Sequence, residues 1–372
     1  MAKNKRSQQF HPLQLAICGF SGGGKSTLIS KLLRDLSGRF SVGYVKHDVH
    51  GFQMDREGKD TNLMWQCGAE QVFISDKTHS ACLSRGAPAF HYQRAGMLDC
   101  DFVLLEGYKS SPYKRILVID KGRQILEDDS ISDVMAYVGQ DDYLDLDKPY
   151  FHRDDLAGIT DFILSYFDGL VREAPLYGLV LTGGHSTRMT FDKARIEYRG
   201  KMHGEYCFDL LSGVCDKVYL SSRPEQWQDS PLGELPQIHD RFVGFGPMGG
   251  ILSAMETHHE ATWLVVACDL PFLDEQTIAH LVKHRNAFKM ATCFQSAYNE
   301  FPEPLCAIYE PKIKQRLYEY MAGGYYCPRK VLINSPVEML TPLDAKALDN
   351  INRYDEYVAL SSDNRIGVGS SV

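Results

Sequence analysis

A glycine-rich segment near the N-terminus has the spacing of a phosphate-binding loop. Residues Gly19–Thr27 read GFSGGGKST and satisfy the pattern G-x-x-x-x-G-K-S/T. The apolar run Leu13–Cys18 precedes this segment and apolar residues at helical spacing follow it, so it lies between a predicted strand and a predicted helix. In that context, glycine N–H groups and a helix N-terminus surround a phosphate. The residues predicted to bind nucleotide here are Gly19, Gly22, Gly23, Gly24, Lys25, Ser26 and Thr27, with Lys25 on the β- and γ-phosphates and the Ser26 hydroxyl on Mg²⁺.

Two further segments of the N-terminal half could hold a metal ion. The apolar run Phe102–Glu106 is typical of a buried strand, and its terminal carboxylate suits Glu106 to hold Mg²⁺ or to orient water. The alternative for Glu106 is an ordinary surface carboxylate at a strand end. The predicted strand Val42–Val45 leads into Lys46–His50 (KHDVH), whose histidines and aspartate could ligate a metal ion. The sequence favours the alternative that these are polar loop residues beside a phosphate.

A second strand followed by a glycine-rich turn lies in the middle of the chain. The segment Leu176–Lys193 begins as an apolar strand and continues into small residues and then cations. Small residues let the backbone approach a ligand closely, and open α/β sheets bind ligands beyond the carboxyl ends of their strands. The alternative is an ordinary turn with surface cations. The residues concerned are Thr182, Gly183 and Gly184 in the turn, and Arg188 and Lys193 beyond it.

Carboxylates and another glycine-rich helix start follow this segment. A short apolar stretch leads to Asp240, and Gly244–Gly250 (GFGPMGG), which includes Gly249, opens a predicted helix. Asp269 comes just after a buried strand predicted over Trp263–Ala267. A carboxylate at that position could hold a divalent metal ion against phosphate oxygens. The alternative for Asp269 is a helix cap or a turn residue.

The elements that must position these residues alternate between strands and helices, which predicts two α/β domains with mainly parallel sheets. We expect domains at residues 1–172 and 174–360, and a flexible tail at 361–372. Besides the segments above, the sequence predicts strands over Arg115–Asp120, Val134–Val138 and Lys217–Leu220, and helices over Arg153–Leu170, Cys207–Val214 and Ile251–Met255.

Composition excludes several classes of protein. The chain has 372 residues and a formal net charge of −8, which gives no overall attraction to nucleic acid or to an anionic membrane. No apolar run is long enough to span a membrane. The ten cysteines are scattered without a C-x-x-C pair, so neither a zinc site nor a redox motif is indicated. They are expected to be reduced core residues of a cytoplasmic protein.

The N-terminal motifs together resemble the molybdopterin-guanine dinucleotide adaptor (MobB-like) family. The resemblance covers nearly all of residues 11–170 and implies a P-loop NTPase-like fold, GTP binding and weak GTP hydrolysis. No N-K-x-D box is present, so guanine preference cannot be read from that motif. The resemblance rests on five segments: GFSGGGKST, KHDVH, the GKD of Gly58–Asp60, the CGAEQ of Cys67–Gln71 and the LLEGYK of Leu104–Lys109.

The C-terminal motifs resemble nucleotidyltransferases, most closely the molybdenum cofactor guanylyltransferases (MobA-like). The string L-x-G-G-x-S-x-R-M-x-x-D-K-A is followed in family order by Asp240, GPMGG, ACDLPF and LDNINRYDEY. This resemblance implies a Rossmann-like domain. Two departures are Thr190, where the family usually has Gly, and the lack of a clear counterpart to the family's Asn after the third strand. The resemblance implies nucleotide contacts by Leu181, Thr182 and Gly183, phosphate contact by Lys193, nucleoside contact by Asp240, Mg²⁺ binding by Asp269, and a pterin side lined by Asn350 and Asn352.

The two resemblances imply a fusion protein that transfers GMP from GTP to molybdopterin or Mo-molybdopterin and releases pyrophosphate. Arg188, Lys193 and Asp269 would act in the transfer, with Mg²⁺ as cofactor. Molybdopterin-insertion proteins and molybdoenzymes are the implied protein partners, and a homodimer is compatible with the sequence. One alternative is transfer from CTP. Another is a carrier that binds the pterin without transferring nucleotide, which Thr190 favours. A sugar-1-phosphate nucleotidyltransferase would leave the attached adaptor unexplained.

Overall fold

The structure is a computed structural model that describes residues 9–46, 55–86, 90–182, 193–198 and 201–350. The chain divides into two compact units, Met1–Phe167 and Asp168–Val372.

The first unit is a parallel α/β sheet with helices. Along the chain its elements are β1 (Gln14–Cys18), α1 (Lys25–Leu36), β2 (Val42–Lys46), α2 (Asp60–Gln66), β3 (Gln71–Ser75), β4 (Ser80–Ser84), α3 (Phe90–Met97), β5 (Phe102–Glu106), β6 (Arg115–Val118), β7 (Val134–Gly139), β8 (Tyr150–His152) and α4 (Leu156–Arg172). Helix α4 runs across the division between the units.

The main sheet of the first unit has the strand order β2-β5-β1-β6-β7-β8, with every neighbouring pair parallel. Strands β1 and β5 are buried along their whole length, as their apolar sequences QLAIC and FVLLE predict. Helix α1 packs on these two strands through residues at helical spacing, Leu28, Ile29, Leu32 and Leu36. Because the strands are parallel, their carboxyl ends, and the residues that follow them, meet at one edge of the sheet.

A hairpin in the first unit forms a separate two-stranded sheet. Strands β3 and β4 pair only with each other among the described strands, and they are antiparallel. Phe73 and Ile74 are 67% and 54% exposed, and Leu63 and Met64 of α2 are both 52% exposed. The hairpin and helix α2 therefore present large apolar side chains to solvent.

The second unit contains a larger sheet of mixed direction. Its elements are β9 (Leu176–Leu181), β10 (Glu197–Tyr198), β11 (Lys201–Met202), α5 (His203–Ser212), β12 (Lys217–Ser222), β13 (Gln237–His239), α6 (Pro247–Thr257), β14 (Thr262–Ala267), α7 (Glu275–Lys283), β15 (Ala291–Gln295), β16 (Pro302–Tyr309), α8 (Ile313–Ala322), α9 (Pro328–Ile333) and β17 (Val337–Leu340).

The strand order of this sheet is β13-β12-β9-β14-β16-β15-β17. Only β16 runs against its neighbours among the described strands, so the sheet is mainly parallel, as predicted. The parallel strands β13, β12, β9 and β14 end at one edge, where the register pairs Leu181 with both Ser221 and Ala267. The residues that directly follow these four strands therefore lie at the same edge of the sheet.

The predicted mixed α/β class with mainly parallel sheets is confirmed. Helix α5 begins at His203, earlier than the predicted start at Cys207, and α6 begins at Pro247 rather than at Ile251. All ten cysteines are free, but Cys67, Cys82 and Cys327 are exposed, so the expectation of core positions is wrong for these three. No helix in the described ranges combines the length and apolar character needed to cross a membrane. The predicted tail at 361–372 lies outside the described residues.

Candidate functional site

The glycine-rich loop of the first unit joins β1 to α1 in the way the motif requires. Gly22 and Gly24 have positive φ angles of 74° and 90°, which side chains rarely tolerate. A Cβ atom on Gly19 would lie 2.9 Å from the carbonyl oxygen of Val118. The Gly23 N–H donates to the carbonyl oxygen of Phe20 at 3.1 Å, which closes the turn ahead of the helix. Glycine is therefore needed here for backbone conformation and for close packing.

Lys25 is the first residue of α1 and folds back over this loop. Its Nζ atom donates to the carbonyl oxygen of Phe20 at 2.8 Å. Partial burial lowers the pKa of Lys25, while the nearby carboxylate of Glu106 opposes that shift. The ammonium group thus sits at the phosphate-binding loop, where a polyphosphate would favour its charged form.

Glu106 is a buried carboxylate at the end of β5 and not a surface residue. Glu106 is 4% exposed, and its Oε1 atom accepts a hydrogen bond of 2.8 Å from Ser26 Oγ. Tyr44 donates to Oε2 at 2.8 Å, and Lys46 Nζ lies 3.6 Å from Oε1. Burial, followed by the hydrogen bond to Glu106, raises the pKa of Tyr44. The structure thus brings together Ser26 and Glu106, the two residues predicted to hold Mg²⁺ in this unit.

Tyr44 was not identified from the sequence as a site residue. It stands on β2, beside β5 in the sheet, and Lys46 of the same strand is in register with Glu106. A sequence signal exists, since alternate residues of a strand share one face. It becomes usable only when β2 is known to neighbour β5.

A buried arginine, also absent from the sequence predictions, organises the loop after β5. Arg115 is fully buried, and its guanidinium donates to the carbonyl oxygens of Lys109 at 2.5 Å and Tyr113 at 3.2 Å, and to that of Ser111. Lys109 in turn places its Nζ atom 3.9 Å from the centre of the Phe20 ring. The loop after β5 is thereby fixed against the glycine-rich loop.

In the second unit, Thr182 directly follows β9 and belongs to a network of internal hydrogen bonds. It is 2% exposed, and its hydroxyl donates to the carbonyl oxygen of Ser221 at 2.6 Å. That hydroxyl accepts a bond of 3.1 Å from Trp227 Nε1, and the Thr182 carbonyl accepts one of 2.9 Å from Gln226. The Thr182 N–H also donates to the Ser221 carbonyl oxygen, at 3.1 Å, so both the side chain and the backbone of Thr182 hold the strand end in place.

Asp240 follows β13 and is linked to the end of β12. Its Oδ1 atom accepts a hydrogen bond of 2.7 Å from Ser221 Oγ. Burial raises the pKa of Asp240, and the bond from Ser221 only partly offsets this. The first turn of α6 lies directly against the pair, since a Cβ atom on Gly250 would be 2.4 Å from Ser221 Oγ.

The predicted nucleotide-binding residue Gly249 has a packing role in the structure. A Cβ atom there would lie 2.3 Å from the carbonyl oxygen of Phe242. Gly246 caps α6 with a positive φ of 56°, so the glycine-rich stretch brings the N-terminus of α6 close to the sheet edge.

Asp269 lies in the turn after β14, at the same edge as Thr182 and Asp240. The N–H of its neighbour Cys268 donates to the carbonyl oxygen of Leu181 at 3.4 Å. The following helix α7 is capped by Asp274, whose carboxylate accepts from the Thr277 N–H at 2.8 Å. Asp269 is therefore not the cap of α7, and the turn remains as its structural alternative.

Several predicted residues cannot be placed. Gly183, Gly184, Arg188, Thr190 and Asn352 lie outside the described residues, as do the candidate metal ligands at 47–50. Lys193 begins a short 3₁₀ turn, and Asn350 is exposed. Across the ranges that the structure describes, no three His, Cys, Asp or Glu residues group in a way that could hold a metal ion.

The fold and these two edges define a two-unit nucleotide-binding α/β protein, with a P-loop unit first and a nucleotidyltransferase-type unit second. Comparison with known proteins agrees in the same order. Residues 14–140 match the family model of molybdopterin guanine dinucleotide synthesis protein B (MobB), and residues 178–335 match the MobA-like NTP transferase domain.

Three relatives illustrate the match. A molybdenum cofactor biosynthesis bifunctional protein of Synechocystis is 41% identical over 187 residues, which are 50% of this chain and 54% of the relative. A molybdopterin-guanine dinucleotide biosynthesis adapter protein of Haemophilus influenzae is 31% identical over 42% of this chain and 91% of the relative. A probable molybdenum cofactor guanylyltransferase of Clostridium perfringens is 27% identical over 48% of this chain and 92% of the relative.

The chain belongs to the MobB adapter family and carries in addition a MobA-like NTP transferase domain. The predicted fusion of these two kinds of domain is confirmed. The chain spans about half (54%) of the length of its Synechocystis relative.

Proposed function

We propose that this chain transfers GMP from GTP to molybdopterin or Mo-molybdopterin, giving the guanine dinucleotide cofactor and pyrophosphate. The first unit is proposed to bind GTP as an adaptor and to hydrolyse it weakly. One observation carries the proposal: the chain combines two sites. The first unit has a P-loop whose Ser26 is hydrogen-bonded to the buried carboxylate of Glu106. The second unit has a nucleotidyltransferase-type sheet edge at which Asp240 and Asp269 lie. Relatives named as a molybdopterin-guanine dinucleotide biosynthesis adapter protein and as a probable molybdenum cofactor guanylyltransferase support the proposal.

The transfer needs positioning and charge neutralisation more than covalent help. An oxygen of the terminal phosphate of molybdopterin attacks the α-phosphorus of GTP. The bond from that phosphorus to the β-bridging oxygen breaks, and pyrophosphate leaves with the electron pair. Arg188 and Lys193, on the segment after β9, are proposed to neutralise the charge that develops on the phosphates. Asp240 is proposed to hold the nucleoside.

The residues present fit Mg²⁺ at both edges. Mg²⁺ prefers oxygen ligands and is commonly held by one or two carboxylates together with substrate phosphates. In the first unit, Ser26 Oγ and Glu106 Oε1 are 2.8 Å apart. In the second, Asp269 offers a carboxylate at the sheet edge. When bound, Mg²⁺ would neutralise charge on phosphate oxygens.

Transfer is tested with GTP or CTP radiolabelled at the α-phosphate, incubated with molybdopterin and the full chain. We expect label in the pterin product from GTP and not from CTP. Lys25→Ala serves as the matched control, because it removes phosphate binding in the first unit and should leave the chemistry of the second intact. Label from CTP alone would make the protein a cytidylyltransferase. A folded protein that binds pterin but incorporates neither label would be a carrier.

The hairpin supports a homodimer. A two-stranded hairpin is marginally stable alone in water, and free strand edges tend to pair with other strands. With Phe73 and Ile74 exposed, we propose that it pairs with a second copy. Sedimentation should find a dimer for the wild type and a monomer for Phe73→Lys, and a wild-type monomer would refute the dimer.

We further propose that the protein acts in the cytoplasm and passes its product to molybdopterin-insertion proteins and molybdoenzymes.

A further inference from the structure

Arg153 is a cation that lies against the phosphate-binding loop of the first unit. It directly follows β8, at the carboxyl edge of the sheet, and its N–H donates to the carbonyl oxygen of Gly139 at 2.8 Å. Its Nη2 atom donates to the carbonyl oxygen of Gly23 at 3.5 Å. A Cβ atom on Gly24 would lie 3.5 Å from Nη1. The guanidinium therefore lies against two glycines of the phosphate-binding loop.

The segment that carries Arg153 is anchored to α1, the helix that begins at this loop. Asp154 forms an ion pair of 2.9 Å with Lys31 of α1. Thr160 Oγ1 donates to the carboxylate of Asp35 at 3.0 Å. These two contacts link the segment that carries Arg153, and the helix α4 that follows it, to α1.

The guanidinium keeps donors available for a ligand. Arginine has five N–H donors, and the bond to the Gly23 carbonyl is at the long limit for a hydrogen bond. Its Nε atom is buried without a hydrogen-bond partner in the described part of the chain. The adjacent carboxylate, Asp154, is paired with Lys31. An anion in the loop would satisfy donors that the protein leaves open.

We propose that Arg153 donates hydrogen bonds to the phosphates of the nucleotide bound at the first unit. The inference rests on the proposed GTP binding of that unit. A guanidinium matches phosphate oxygens with parallel N–H bonds and remains charged at all physiological pH values. Arg153 supplies a second cation to the loop that is followed by Lys25, the residue whose pKa is lowered by burial. No sequence motif indicates this role, since β8 is separated from β1 in the sheet by β6 and β7.

The test measures binding of GTPγS and of inorganic tripolyphosphate to the full chain with Mg²⁺, by displacement of a fluorescent GTP analogue. The full chain has two proposed nucleotide sites, so only the part of the measured binding that Lys25→Ala removes is assigned to the first unit. Arg153→Met should weaken both ligands about 10- to 100-fold, the loss expected for charge-assisted hydrogen bonds. Arg34→Met is the matched control, since it removes an exposed cation in the last turn of α1, away from the loop, and should change affinity less than about threefold.

Two results would overturn the inference. One is wild-type affinity for GTPγS in Arg153→Met. The other is a loss for GTPγS with none for tripolyphosphate, which would put Arg153 on the base or ribose. If Arg153→Met melts far below the wild type, Arg153→Gln, which keeps the polar side chain, decides between the same outcomes. A wild-type protein with no Lys25-dependent binding would refute the proposed GTP binding itself, and this inference with it.

Discussion

The buried carboxylate of the first unit gives the sharpest test of the proposed Mg²⁺ site. Replacing Glu106 by Gln keeps the size of the side chain and an oxygen that can accept from Ser26. The fold should survive, because the phenol of Tyr44 can either donate or accept. The substitution removes the negative charge beside the Ser26 hydroxyl, which is 2.8 Å away.

The size of the effect follows from the contacts. A hydrogen bond to a charged group contributes about 1.5–3 kcal/mol and a neutral one about 0.5–1.5 kcal/mol. The exchange should therefore weaken the Mg²⁺-dependent binding of nucleotide by about 1–2 kcal/mol, which is a 5- to 30-fold lower affinity. Binding measured in EDTA should not fall, because the removed charge repels phosphate.

The assay titrates Mg²⁺ into the full chain with a fluorescent GTP analogue, and reads the Lys25-dependent component. Tyr44→Phe is the control: it removes a hydrogen bond to the other oxygen of Glu106 but keeps the charge, so its shift in Mg²⁺ dependence should be smaller. Thermal melts verify folding. A folded Glu106→Gln protein with the Mg²⁺ dependence of the wild type would refute the assignment.

Three further predictions concern the second unit. Asp269→Asn should fold normally and slow single-turnover GMP transfer about a hundredfold, with partial rescue by Mn²⁺; an unchanged rate would exclude metal binding there. Burial raises the pKa of Asp240, so the stability contributed by its protonated form is lost as pH rises through that raised pKa. Asp240→Asn should accordingly melt above the wild type at pH 7, by a margin that shrinks towards acidic pH, and equal margins would contradict this. Gly250→Ala should lower the unfolding free energy by about 1–3 kcal/mol, because its Cβ would meet Ser221 Oγ at 2.4 Å. Gly169→Ala in α4, where nothing lies within 4 Å, should be stabilising by about 0.5–1 kcal/mol, and denaturant unfolding compares the two.

Strand β5 and helix α1 were predictable because their signals are local. Strand β5 is a continuous apolar run, and α1 shows apolar residues at helical spacing after a motif with fixed glycine positions. The N-terminal hairpin and the strands β15, β16 and β17 were not predicted. The side chains of β3 and β4 are mostly exposed, so these strands lack a buried apolar face. Strand β15 pairs with β17, from which β16 and two helices separate it in the chain, and no short sequence pattern specifies that pairing.

Residue identity indicated chemistry but not always function. Thr182 and Gly249 were singled out as ligand contacts, and the structure gives both of them contacts within the protein. The sequence could not decide whether Asp269 is a metal ligand, a helix cap or a turn residue. The structure excludes it as the cap of α7, because Asp274 caps that helix. A small or polar residue after a strand suits a ligand site and a tight turn equally well, and only its neighbours in space distinguish them.

The sequence by itself determined the phosphate-binding loop, the order of the two domains and the placement of carboxylates after buried strands, because each is written in consecutive residues. Only the tertiary structure decided that Glu106 is buried against Ser26 and Tyr44, and that Arg153 reaches the glycine-rich loop. Those contacts join residues from 62 to 130 positions apart in the chain. They depend on the order in which parallel strands assemble, which local sequence patterns do not specify.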